Sequence, residues 1–152
     1  HTYTTPRQLA ESQRLIDAIR DFDSEAIQTL MSVSKNIANL NVQRFQDFKT
    51  PFTPQNAKQA LYAFKGDVYS TIEAADYSEK ELEFAQQHLR ILSGLYGYLR
   101  PLDLIQAYRL EMKTRLDNPR GQNLYQFWDN RITELLNQEL QQQAEATLVN
   151  LA

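Results

Sequence analysis

Leu92-Ser93-Gly94-Leu95-Tyr96-Gly97-Tyr98-Leu99-Arg100-Pro101 is the stretch on which the fold hinges, because it places two of the chain's four glycines three residues apart after a helical run. Glycine reaches positive φ without the Cβ penalty, so the pair specifies a tight turn whose main-chain N–H groups can face solvent. Such a turn either binds an anion or only reverses the chain. Upstream, Ser78-Glu79-Lys80-Glu81 has the form of a capping box and opens a helix read as running to Ser93. On it Leu82, Ala85, Leu89, Leu92 and Tyr96 form one stripe, and Phe84, His88, Ile91 and Leu95 an adjacent one. An arc that wide predicts a helix central to the core. Downstream, residues 107–112 alternate loosely and are read as a short strand.

The N-terminal side divides into short helices. Pro6 suits a first turn, and Leu9, Ser12, Ile16 and Ile19 predict a helix over 6–21. Asp23 or Ser24 caps a second through Val33, and Ser34 a third carrying Ile37, Leu40 and Phe45. Thr53 is read as the cap of a helix through Phe64, stopped near Gly66, and Asp67 as the cap of another to Ala74. Beyond the Asn118-Pro119-Arg120-Gly121 turn, Leu124, Trp128, Ile132, Leu135 and Leu136 predict one helix from 122 to about 143. The tail, 147–151, reads as a strand with at most one weak partner, so the chain looks cut from something longer. The expected fold is a mainly α fragment of a larger α/β (α+β) protein. It would have about seven helices and one or two short strands in a single compact unit over 1–152, with no internal boundary.

Composition narrows the function classes. With 152 residues, 42% of them hydrophobic and 23% charged, the chain reads as an ordinary globular protein. No cysteine is present, which excludes disulfides, thiolate metal sites and cysteine nucleophiles. No apolar run approaches the roughly 18 residues of a spanning helix, and the N-terminus lacks signal-peptide regions, so the expected location is the cytoplasm. A net charge of −3 means that any nucleic-acid contact must be local.

Candidate chemistry is sparse. His88 is the one internal histidine and, on an apolar stripe, is read as a hydrogen-bonded core residue. Asp103 and Glu111 are the carboxylates considered for acid/base work, but neither has a partner at a recognisable spacing. Phosphate-loop and dinucleotide motifs are excluded, because the third glycine and the preceding strand are missing. No catalytic motif is recognised and no cofactor or metal is predicted. Lys65, Arg90, Arg100, Arg109, Lys113, Arg115 and Arg120 are interleaved with tyrosines near the glycine turn, a combination that can hold phosphates. The spacing resembles a helix-hairpin-helix, in which hairpin amides grip a nucleic-acid backbone, although that hairpin usually has one residue between its glycines.

Longer strings carry a resemblance. Phe64-Lys65-Gly66-Asp67-Val68-Tyr69, Phe84-Ala85-Gln86-Gln87-His88-Leu89-Arg90, Leu92 to Gly97, Leu99-Arg100-Pro101-Leu102-Asp103-Leu104 and Tyr108-Arg109-Leu110-Glu111-Met112 resemble the bacterial YaaA family of peroxide-stress proteins. Leu124-Tyr125-Gln126-Phe127-Trp128 and Val149-Asn150-Leu151-Ala152 extend the match. The resemblance implies a cytoplasmic protein that limits free intracellular iron and oxidative damage under hydrogen peroxide, and binds double-stranded or bulged DNA through a basic cleft with a helix-hairpin-helix. Carried onto this chain, it makes Ser93, Gly94, Leu95, Tyr96 and Gly97 the hairpin, and Lys65, Arg100 and Arg109 the basic candidates. Family members are longer at both ends, so DNA binding is expected to be weakened here. The rival expectation is an enzyme or ligand-binding protein in which Lys65, Tyr69, Arg100, Tyr108 and Glu111 converge on an anionic metabolite.

Overall fold

Side-chain caps start the second and third helices where their residues dictate. The structure is a computed structural model that describes residues 2–151; positions 1 and 152 lie outside the described residues. Helix α1 (Leu9–Ile19) buries Ser12, Leu15, Ile16 and Ile19 along one face. Helix α2 (Ser24–Met31) begins where the Asp23 carboxylate accepts the Ala26 N–H at 2.8 Å. Helix α3 (Lys35–Asp47) begins where Ser34 Oγ accepts the Ile37 N–H at 3.3 Å, and packs on α2. Each cap satisfies a donor that the helix leaves open, a contribution of about 1 kcal/mol.

The middle of the chain differs from expectation. Thr53 caps nothing helical: strand β1 (Lys58–Gln59) intervenes, and helix α4 is only Ala60–Ala63. Gly66 takes φ 121° ahead of helix α5 (Asp67–Ser70), and a 3-10 turn follows at Ala74–Asp76. Helix α6 (Glu79–His88) opens on the expected capping box, with Ser78 Oγ accepting from Glu81 N–H and the Glu81 carboxylate accepting from Ser78 N–H. It ends at His88 rather than Ser93, since Leu89 is already extended, and it buries none of its residues. Phe84 is 64% exposed and His88, stacked on it at 4.1 Å, is exposed too. Neither the central helix nor the core histidine is found.

The residues expected to end that helix form strand β2 (Ile91–Ser93), paired antiparallel with β3 (Gly97–Leu99). Strand β4 (Leu104–Ile105) pairs antiparallel with β1, and Thr4 bridges beside it at Asp103. The strand expected at 107–112 does not form. One long C-terminal helix is instead two, α7 (Leu124–Trp128) and α8 (Arg131–Leu140), because Asp129 at φ 48° breaks the run. Residues 147–151 take no strand structure, and Leu148, Val149 and Leu151 are exposed. A strand needs a neighbouring ladder, and none is beside this segment among the described residues.

The fold class is therefore α+β and mainly helical, with eight helices and two small antiparallel sheets among the described residues. The core gathers Leu15, Ile16, Phe45, Leu99, Leu104, Phe127 and Trp128 around the β2–β3 hairpin, whose turn residues Leu95 and Tyr96 are fully buried. Each buried leucine or isoleucine contributes about 2 kcal/mol.

Candidate functional site

The glycine turn sits inside the protein. Residues 93–99 are all buried. Ser93 Oγ accepts the Tyr96 N–H at 2.9 Å and shares a 2.5 Å hydrogen bond with Tyr108 Oη. Tyr96 Oη donates to the Gln106 carbonyl at 2.9 Å and accepts from the Gln106 N–H at 3.0 Å. Trp128 Nε1–H donates to the Gly94 carbonyl at 2.9 Å. Both glycines are demanded by contact: a Cβ on Gly94 would run into the Leu110 carbonyl oxygen, and one on Gly97 would lie 2.7 Å from the Trp128 ring. The hairpin joins strands, not helices, and its tip is covered by residues 106–110 and Trp128. The helix-hairpin-helix expectation is thereby corrected, and Ser93, Gly94, Leu95, Tyr96 and Gly97 present no amide surface to a phosphate.

Most arginines are spent inside the fold. Arg100 donates to the Asp103 carboxylate at 2.9 and 3.2 Å and to the Thr5 carbonyl at 2.9 Å. Asp103 is fully buried and also accepts from Thr4 Oγ1 and the Arg100 N–H, so the pair locks the N-terminal segment onto β4. Arg20 caps the Phe45 and Phe48 carbonyls, and Arg90 holds Glu139 and the Gln86 and Leu89 carbonyls. Arg120 pairs with Glu11 and lies over the Phe127 ring at 4.5 Å.

Three further cations fall on one segment. From 107 to 117 burial alternates strictly: the odd positions Ala107, Arg109, Glu111, Lys113, Arg115 and Asp117 are exposed, while Leu110, Thr114 and Leu116 are buried and Tyr108 and Met112 are half-buried. The in–out burial persists through a turn in the backbone, where Thr114 N–H donates to the Glu111 carbonyl at 3.0 Å, so core contact on one side leaves the other to solvent without a ladder. The loose alternation noted in 107–112 is real, but its product is a polar edge rather than a strand. Arg109, Lys113 and Arg115, with Glu111, line a cavity of about 450 Å³ closed on its other side by Thr29, Leu30, Met31 and Ser32 at the end of α2. Glu111 takes an ion pair from Arg109 at 3.5 Å and from Lys113 at 3.3 Å.

Of the basic candidates, only Arg109 lies in this cavity. Lys65 is exposed elsewhere on the surface, one residue from Phe64, whose ring meets that of Tyr108 edge-on at 6.3 Å. Phe64 also stacks on Tyr69 at 5.3 Å. Burial pushes the Tyr108 phenol up to about 12, against the opposing effect of its Ser93 hydrogen bond, so it stays protonated at neutral pH. The sequence counts Lys113 and Arg115 among the basic residues without placing them in a site; the period-two spacing 109, 111, 113, 115 is the signal for them.

Comparison with known proteins agrees with the strings quoted above: residues 1–152 match the family described as "Peroxide stress protein YaaA". The chain belongs to the YaaA family. A relative from Cellvibrio japonicus (strain Ueda107), described as a "UPF0246 protein", is 55% identical over 150 residues, covering 99% of this chain and 58% of the relative. The YaaA-family chain thus spans 58% of the length of the curated relative it matches. Among its described residues no helix is long and apolar enough to cross a membrane, and no group of three or more His, Asp or Glu side chains is placed to hold a metal ion.

Proposed function

We propose that this YaaA-family chain serves the peroxide-stress role of its family by contacting the phosphate backbone of DNA through Arg109, Lys113 and Arg115. The observation that carries the reading is the strict in–out alternation of burial over 107–117, which sets three cations along one exposed edge with two carboxylates, Glu111 and Asp117. Cations in a row neutralise successive phosphates and release counterions, giving affinity without reading bases. Limiting oxidative DNA damage, as the resemblance implies, would follow from a protein held on the molecule at risk.

Fluorescence anisotropy of the chain with labelled duplex and bulged DNA over a salt series tests this. Arg109→Ala with Lys113→Ala is expected to weaken binding at least tenfold and to flatten the log–log salt slope by about two. Unchanged affinity and slope would overturn the assignment. The cavity volume also favours a second reading, a phosphorylated small ligand held by the same cations and the hydroxyls of Thr29, Ser32 and Thr114. A rise in melting temperature with phosphorylated metabolites, absent with DNA, would select it.

A further inference from the structure

Glu111 is the carboxylate set between Arg109 and Lys113 on the cationic edge, and its two oxygens are divided between those two cations. Oε1 faces Arg109 Nη2 at 3.5 Å and Oε2 faces Lys113 Nζ at 3.3 Å. A phosphodiester presents the same feature, two anionic oxygens on one atom, to cations spaced in this way. The side chain of Glu111 is 51% exposed, and those of Arg109 and Lys113 are 44% and 79% exposed, so none is held by packing. Asp103, by contrast, is fully buried and cannot leave its arginine.

We infer that Arg109 and Lys113 form a phosphate subsite and that Glu111 is its built-in occupant, a carboxylate that must swing out before a phosphate can enter. The inference rests on the backbone-binding reading above and adds to it the position of one phosphate and a residue that sets its affinity. Because Glu111 replaces a phosphate, it weakens binding twice. It competes directly for the two cations, and it holds them neutralised, so that fewer counterions are released when the ligand arrives. The remaining wall, with Ser32, Thr29 and Thr114, offers hydroxyls to whatever adjoins that phosphate.

The test compares Glu111→Gln with Asp117→Asn, which removes the same charge from the same edge but at a residue outside the Arg109–Glu111–Lys113 ion pairs. Duplex DNA is titrated over a salt series, and inorganic pyrophosphate is titrated separately to distinguish a backbone from a free phosphate. Glu111→Gln is expected to raise DNA affinity on the order of tenfold and to steepen the salt slope by about one, with Asp117→Asn raising affinity less than threefold at an unchanged slope. A matching gain for pyrophosphate would show that the subsite takes free phosphate as well; a gain with DNA alone would tie it to the backbone. Equal behaviour of the two variants overturns the inference. If Arg109→Ala with Lys113→Ala still weakens binding in that case, the backbone reading stands alone; if it does not, both fail. Glu111→Ala, which keeps no hydrogen-bonding group, should behave as Glu111→Gln does.

Discussion

Two glycines and two arginines show how far a residue's type determines its work. Gly94 and Gly97 are required because Leu110 and Trp128 occupy the space a side chain would need. Gly94→Ala is therefore expected to cost about 2–3 kcal/mol in urea unfolding, by displacing backbone rather than a flexible side chain. Gly66→Ala meets nothing within 4 Å and bears only the strain of its positive φ, so it should cost less, on the order of 1 kcal/mol. Arg100 and Arg109 looked alike in the sequence. Arg100→Ala strands a fully buried carboxylate and is expected to cost about 3 kcal/mol of stability, whereas Arg109→Ala should leave unfolding within about 0.5 kcal/mol and change DNA binding instead. A stable Arg100→Ala with weakened DNA binding would reverse that assignment.

Among the elements, three caps were legible, while Thr53 and Asp67 cap nothing and the helix ends were not legible. Asp23, Ser34 and Ser78 each cap the helix expected of them, because capping is a contact within four residues. The apolar stripe beyond His88 was continuous in helical spacing, yet Ile91 and Leu99 face each other in a hairpin. Tertiary packing overrode local periodicity there. Helix α8 is tied down by Glu139, whose carboxylate accepts from Arg7, Arg90 and Tyr98. Burial alone would raise this carboxyl, but the hydrogen bonds from Arg90 and Tyr98 and the charges of Arg90 and Arg7 hold it below the usual range. A depressed native value means that the unfolded chain binds the proton more readily. The contribution is full above the ordinary value of 4.5 and is lost as pH falls through the native one. Urea unfolding should therefore lose stability on acidification to about pH 3, and Glu139→Gln should be less stable at neutral pH with a shallower acid limb. An unchanged limb would show that other carboxylates set it.

For the molecule as a whole, a net charge of −3 makes any DNA affinity the property of one edge. Three phosphate contacts imply that raising salt from about 50 to 200 mM lowers the affinity on the order of 40-fold, measurable in the same anisotropy series. A flat response would exclude the edge as a backbone contact. The family, the α+β class and the starts of α2, α3 and α6 were determined by the sequence alone, because each rests on local pattern or on strings of identical residues. Glycine spacing also announced a turn correctly. Only the tertiary structure decided that this turn lies beneath Trp128 and the 106–110 segment, that Arg100 serves a buried aspartate, and that Arg109, Lys113 and Arg115 share an edge. The physical reason is that burial depends on partners distant in sequence, and burial separates a cation locked to a buried carboxylate from one left facing water.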